Sequence, residues 1–165
     1  MLSVAMLSLA TTPKSAHLGL ITPQSLEGNV FGDVKWKQVS CAAMLAVKHV
    51  TQGNETIVPG LKALTSNLTN FTGGLYDTGY RPSPAIVSYR QMKADGAMAI
   101  VGAARSAVSK PLAQLAAIDK MPQCSYWSTS PSLSDESLYP YCARHRPPAV
   151  GTLATTGFPS HQPCR

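Results

Sequence analysis

Short apolar runs alternate with longer amphipathic segments along the chain, and this alternation predicts strands separated by helices. The predicted strands are residues 16–22, 75–78, 97–103 and 123–127. The predicted helices are residues 36–50, 82–95 and 106–120, where apolar positions recur three and four residues apart. Such an alternation predicts an α/β fold, a three-layer, doubly wound parallel sheet with helices on both faces.

The segment between the first helix and the second strand differs in character. Residues 51–72 are polar and weakly periodic, which predicts a long connection with a helical turn near residues 61–64. Three sequons for N-glycosylation lie within it, at Asn54, Asn67 and Asn70. Their clustering favours an extracellular surface loop.

Charge and hydropathy argue against a nucleic-acid partner and against a transmembrane helix. The formal net charge is +6, but Lys and Arg are scattered, and no basic run is longer than the three residues 144–146. We therefore predict no nucleic-acid partner. No apolar run reaches the length of about 18 residues that a transmembrane helix needs, so none is predicted.

The two ends of the chain differ from its middle. Residues 1–15 begin with an apolar decapeptide that ends in a small-x-small pattern, so a shortened signal peptide and an apolar leader to the first strand both remain open. Residues 145–165 are rich in Pro and Gly and lack periodicity, which predicts an irregular, disordered tail. The predicted domain is residues 16–144.

Residue types that carry metal, cofactor or catalytic chemistry lack the spacing such sites need. The cysteines at 41, 124, 142 and 164 form no C-x-x-C pair, so no metal is predicted. Cys41 and Cys124 are predicted to be free buried thiols, with disulfides, such as one between Cys142 and Cys164, as the alternative. No G-x-S-x-G elbow, P-loop or dinucleotide fingerprint is present, so neither an enzyme nor a cofactor is predicted.

Two loops at predicted strand ends suit a small ligand, because ligands of doubly wound sheets bind at the carboxyl ends of the strands. Residues 102–107 would direct backbone N–H groups and the Ser106 hydroxyl at one anion. The alternative is that Ser106 only caps its own helix. Residues 126–130 offer hydroxyls beside aromatic surface, and their alternative is a Ser/Thr-rich turn.

Three segments resemble a known family. They are residues 76–79 (YDTG), 99–103 (AIVGA) and 121–144, the last containing the specific run P-Q-x-S-Y-x-S-T-S-x-x-L-S-D. They resemble the receptor family ligand-binding region, the type 1 periplasmic-binding-like (Venus-flytrap) domain of class C G-protein-coupled receptors and natriuretic-peptide-type guanylate cyclases. The resemblance covers residues 16–144 and implies lobe 1 alone, with the second lobe lying beyond this chain.

The resemblance also implies a site. In amino-acid receptors of this family, residues at the positions of Ser106 and Thr129 hold the ligand's carboxylate and amino group, and Trp127 contributes through its backbone. Arg105, which departs from the family's serine cluster, and Ser128 complete the predicted ligand-binding set.

The partners and location follow from the same resemblance. It implies a small-molecule ligand such as an amino acid, bound weakly by the lone lobe, and a homodimer through lobe 1. It also implies an extracellular or membrane-associated location, as part of a larger receptor. A solute-binding component of a transporter, which shares the fold, is the alternative function, and a cytosolic α/β enzyme fragment is a third.

Overall fold

A parallel sheet of five strands forms the centre of the domain in the computed structural model, which describes residues 15–25, 30–66, 68 and 70–145. The strands are β1 (Ser15–Thr22), β2 (Asn70–Asp77), β3 (Ala99–Val101), β4 (Gln123–Ser125) and β5 (Cys142–Arg144). The helices are α1 (Val30–Gln52), α2 (Leu61–Leu64), α3 (Pro82–Ala94) and α4 (Ser106–Asp119), and a 3₁₀-helix spans Pro131–Ser134. The predicted α/β fold is confirmed.

The strand order creates a crevice in the middle of the sheet. The order is β2-β1-β3-β4-β5, and every neighbouring pair is parallel. The chain moves to one side after β1 and to the other side after β2, so its direction reverses between β1 and β3. In open parallel sheets such a reversal leaves a crevice at the carboxyl ends of the strands, where ligands bind.

Helices cover both faces of the sheet. The glycines of β1 and β2 show which helix lies on which face. A Cβ at Gly73 would lie 2.9 Å from Val47 of α1, and a Cβ at Gly19 would lie 1.6 Å from the Met92 sulfur of α3. Gly19 pairs with Gly74, the neighbour of Gly73, so these two contacts lie on opposite faces. The main core lies on the α3 face and includes Ile21, Tyr76, Tyr89, Met92, Ile100, Val108 and Leu112.

Several predicted boundaries were wrong. Strand β2 begins at Asn70, where a connection was predicted, because its backbone pairs with β1 along eight residues although Gly73 and Gly74 offer no apolar side chain. Helix α1 begins at Val30, six residues before the predicted start. Strand β3 is shorter than the apolar run that predicted it, and β5 was not predicted.

The prediction that Cys41 and Cys124 are buried was also wrong, because both are exposed. The neighbours of Cys124 in β4, Gln123 and Ser125, point into the protein, so the alternation of a strand turns the thiol outward. No disulfide joins any two of the cysteines at 41, 124 and 142, and Cys164 lies outside the described residues.

Most of the predicted leader and tail lie outside the described residues, as does the Asn67 sequon. Within the described ranges, no helix combines the length and the apolar character needed to cross a membrane.

Candidate functional site

Asp77, the last residue of β2, joins the connections that follow β1 and β2. One carboxylate oxygen accepts hydrogen bonds from the backbone N–H groups of Gln24 and Gly79, at 2.6 and 2.9 Å. The other accepts from the N–H of Ser25 at 3.1 Å and from the Ser25 hydroxyl. Burial raises the pKa of Asp77, but these hydrogen bonds outweigh burial and hold the pKa below its ordinary value.

This depressed pKa predicts a loss of stability in acid. The contribution of Asp77 is fully present above the ordinary pKa of 3.8 and is lost as the pH falls through the lower pKa of the folded state. We expect the urea midpoint of the wild-type chain to fall between about pH 5 and pH 2, and to fall less in Asp77→Asn. Glu136→Gln, which removes an exposed carboxylate distant from this edge, is the control and should follow the wild type. Equal falls in Asp77→Asn and wild type would contradict this role.

Ser106, the first residue of α4, links the connections that follow β3 and β4. Its Oγ accepts hydrogen bonds from the backbone N–H groups of Thr129 and Ser130, at 3.2 and 3.1 Å. A serine oxygen has two lone pairs, so both are occupied and the hydroxyl retains only its proton to donate. Within the described part of the chain, no acceptor receives that proton. A ligand atom at this position therefore has to be an acceptor, as a carboxylate oxygen is.

The alternative that Ser106 only caps its own helix is wrong. The N-cap residue is Arg105, whose backbone is extended, with φ −106° and ψ 131°, and no side chain caps the helix. Ser106 lies one residue further along, and its hydroxyl bonds across to the β4 connection instead. Ser106 and Thr129, predicted from separate loops, are thus brought together.

Ser128 fixes the connection that follows β4 to the interior of the domain. It is 1% exposed, and its hydroxyl lies 2.7 Å from the Ser109 hydroxyl of α4 and 3.4 Å from the Ala103 carbonyl oxygen. Its N–H donates to the Ser125 hydroxyl at 3.2 Å. The Ser128 hydroxyl is therefore used within the protein, and contact between Ser128 and a ligand stays a prediction.

Aromatic rings and an arginine form a second cluster along the same edge. The Trp36 ring of α1 lies 5.8 Å from the Tyr80 ring and 5.9 Å from the Trp127 ring, between centroids. The guanidinium carbon of Arg105 lies 5.2 Å from the Tyr80 centroid, within cation–π range. We call Trp36, Tyr80, Trp127 and Arg105 the aromatic cluster. It connects the ends of β2, β3 and β4 across the crevice.

Two further contacts fix the β4 connection to the rest of the domain. The Tyr126 hydroxyl donates to the Ile21 carbonyl of β1 at 3.3 Å, and burial raises the pKa of Tyr126, with a smaller effect from Tyr80. The Arg144 guanidinium donates to the Ser130 carbonyl at 2.8 Å. The connection that carries Trp127 and Thr129 is therefore held at both ends.

Among the described residues at this edge, potential metal ligands do not gather into a site. Among residues 15–25, 30–66, 68 and 70–145, no group of three or more His, Cys, Asp or Glu side chains is placed to hold a metal ion. The Asp77 carboxylate binds backbone N–H groups and a hydroxyl.

Sequence reasoning missed two members of the aromatic cluster. Tyr80 follows Gly79, directly after a predicted strand end, and Trp36 was taken only as the first residue of a helix. The position of Tyr80 beside a strand end was a signal that could have identified it, whereas the sequence offers no such signal for Trp36. Arg105 and Trp127 were predicted site residues, and the structure places both in the aromatic cluster.

Residues 38–155 match the receptor family ligand-binding region, which is more than half of the chain. The chain belongs to this family. A parallel sheet with helices on both faces fits the periplasmic-binding-like lobe that the sequence predicted. The match ends at residue 155, beyond the predicted boundary at 144. The division into residues 1–15, 16–144 and 145–165 stays a prediction.

The chain is also similar to individual receptors. It is 43% identical over 56 residues to metabotropic glutamate receptor 8 of Homo sapiens, and equally to the receptors of that name from Mus musculus and Rattus norvegicus. The matched segment is 34% of this chain and 6% of the length of each receptor, so the chain spans only a small part of these relatives. These similarities favour the receptor prediction and give the transporter alternative no support.

Proposed function

We propose that this chain is the extracellular ligand-binding lobe of a cell-surface receptor and that it binds a small molecule with a carboxylate, such as an α-amino acid. The observation that carries the proposal is the state of the Ser106 hydroxyl. Its two lone pairs accept N–H groups from Thr129 and Ser130, and its proton remains for a ligand acceptor. Hydrogen bonds to a charged acceptor are stronger than those to a neutral one.

Thr129 provides the second polar contact. Its N–H is occupied by Ser106, and we propose that the hydroxyl of its half-buried side chain meets the ligand beside Ser106. A hydroxyl oxygen and a main-chain carbonyl accept hydrogen bonds from an ammonium group. An α-amino acid carries its carboxylate and its ammonium group on the same carbon atom, which suits Ser106 and Thr129 together. The similar receptors are named for glutamate, an amino acid of this kind.

The sequons support an extracellular location. The Asn54 side-chain oxygen accepts hydrogen bonds from the Thr56 N–H and hydroxyl, at 3.0 and 2.6 Å, which joins the two residues that define the sequon. Asn70 is exposed at the start of β2, at one edge of the sheet. Both described sequons are therefore at positions open to modification.

The same proposal covers the partners of the lobe. A second lobe of the larger receptor closes over the ligand, so we expect this lobe alone to bind weakly. A homodimer through lobe 1 stays a prediction, and the exposed apolar side chains Met44 and Leu45 of α1 favour it. The proposed role is binding, not catalysis.

The experiment that tests the proposal compares amino acids with their carboxamides. We expect ligand-observed NMR on the full chain to detect L-alanine, L-glutamate or L-phenylalanine, because this method detects weak binding. The matching carboxamides are expected to bind about tenfold more weakly, since they lose a charge-assisted hydrogen bond. Equal binding of an amino acid and its carboxamide would contradict the proposed carboxylate site. If no amino acid binds to the folded chain, the proposed function is wrong.

A further inference from the structure

The aromatic cluster lies beside the polar groups of the proposed site. Arg105 directly precedes Ser106, and Trp127 is two residues before Thr129. Trp127 is 43% exposed although its ring contacts Trp36, so a large apolar surface faces solvent at the end of the strands. Leaving such a surface in water costs free energy that a ligand of matching chemistry recovers.

The chemistry of the aromatic cluster selects among side chains. The faces of aromatic rings carry partial negative charge, so the tryptophan rings disfavour an acidic side chain. The Arg105 charge would favour one, but we assign that charge to the α-carboxylate of the ligand. A cationic side chain would be attracted to the rings, but the Arg105 guanidinium already lies over Tyr80 and would repel it. A neutral aromatic ring meets neither penalty, and it gains both buried area and favourable ring geometry.

We propose that Trp36 and Trp127 form a subsite for the ligand's side chain and that the preferred ligand is an aromatic α-amino acid. This inference rests on the proposed function, because Ser106 and Thr129 hold the carboxylate and the ammonium group. The ring of the ligand then lies against the tryptophans, and Arg105 adds a positive charge beside the carboxylate. Arg105 is exposed and remains within reach of an anion while it stacks on Tyr80.

The test measures dissociation constants by amide chemical-shift titration of the full chain with L-phenylalanine, L-alanine and L-glutamate. We expect L-phenylalanine to bind about tenfold more tightly than L-alanine. In Trp36→Ala the ratio of the L-alanine to the L-phenylalanine dissociation constant is expected to fall to about threefold or less. In Trp36→Phe this ratio should remain above that value. Trp127→Ala tests the second ring and replaces Trp36→Ala if that variant does not fold.

Tyr141→Ala is the matched control. Tyr141 is an exposed aromatic residue, 38% accessible, that lies just before β5 at the opposite end of the sheet, and its removal should leave the ratio unchanged. The subsite is overturned if L-phenylalanine binds no better than L-alanine, if L-glutamate binds best, or if the ratio survives both tryptophan variants. In those outcomes carboxylate-dependent binding persists, so the proposed function stands. Absence of all binding overturns both.

Discussion

Replacing Gly102 with alanine is expected to destabilise the folded chain by about 3 kcal/mol, because strain and a steric clash act together. Gly102 has φ +135°, a region that residues with a Cβ rarely adopt. A Cβ at this position would lie 2.4 Å from the carbonyl oxygen of Ile21. Ile21 is fully buried in β1, so its backbone has no space into which to move. The Gly102 backbone is itself fixed, since its N–H donates to the carbonyl oxygen of Cys124 and its own carbonyl accepts from the Gln123 side-chain amide.

Urea unfolding of the full chain, followed by circular dichroism, measures this loss. The matched control is Gly96→Ala, because Gly96 also has a positive φ of +83° but nothing lies within 4 Å of its Cβ position. We expect the control to lose about 1 kcal/mol from backbone strain alone. Similar losses in both variants would show that the contact with Ile21 does not determine the choice of glycine at position 102.

Replacing Ser106 with alanine is expected to weaken amino-acid binding by at least about tenfold, or 1.4 kcal/mol. The variant loses the hydroxyl proton proposed to meet the carboxylate. It also leaves the N–H groups of Thr129 and Ser130 without their acceptor, so the β4 connection is held less firmly. The effect therefore combines a lost ligand contact with a less ordered site.

Two measurements separate these contributions. Chemical-shift titration gives the affinity, and hydrogen exchange at the Thr129 and Ser130 amides reports how firmly the connection is held. Both amides are expected to exchange faster in Ser106→Ala. Ser83→Ala, which removes an exposed hydroxyl from the first turn of α3, should change neither quantity. Unchanged affinity in Ser106→Ala would contradict the assignment of the carboxylate to Ser106.

The fold was predictable because its signals are local. The apolar run around Ile100 and the helical spacing of residues such as Val108 and Leu112 depend only on neighbours in the sequence, and all three residues lie in the core. The location proposed for the candidate site follows from the rule that ligands bind at the carboxyl ends of parallel strands. The rule pointed to the two loops that contain Ser106 and Thr129, and the family resemblance singled out Thr129 within its loop.

The features that could not be predicted depend on contacts between residues distant in the sequence. The start of β2 at Asn70 is set by pairing with Ser15, and no pattern within β2 reveals it. The hydroxyl of Ser106 has the same chemistry whether it caps a helix or accepts N–H groups from another loop, so only the packed structure distinguishes these roles. Trp36 joins the site because α1 begins at Val30, which brings the second turn of the helix to the edge of the crevice.

The pairing of the strands also sets the order in which the sheet can assemble. Ile100 of β3 pairs with Gln123 of β4, whereas Leu18 of β1 pairs with Ala99. The loop between Leu18 and Ala99 is longer than the loop between Ile100 and Gln123, so closing it costs more conformational entropy. We therefore expect β3, α4 and β4 to associate first and β1 to join them later. Because the crevice lies between β1 and β3, its two sides meet only at that later step. We therefore expect a newly synthesised chain to complete its candidate ligand site near the end of folding.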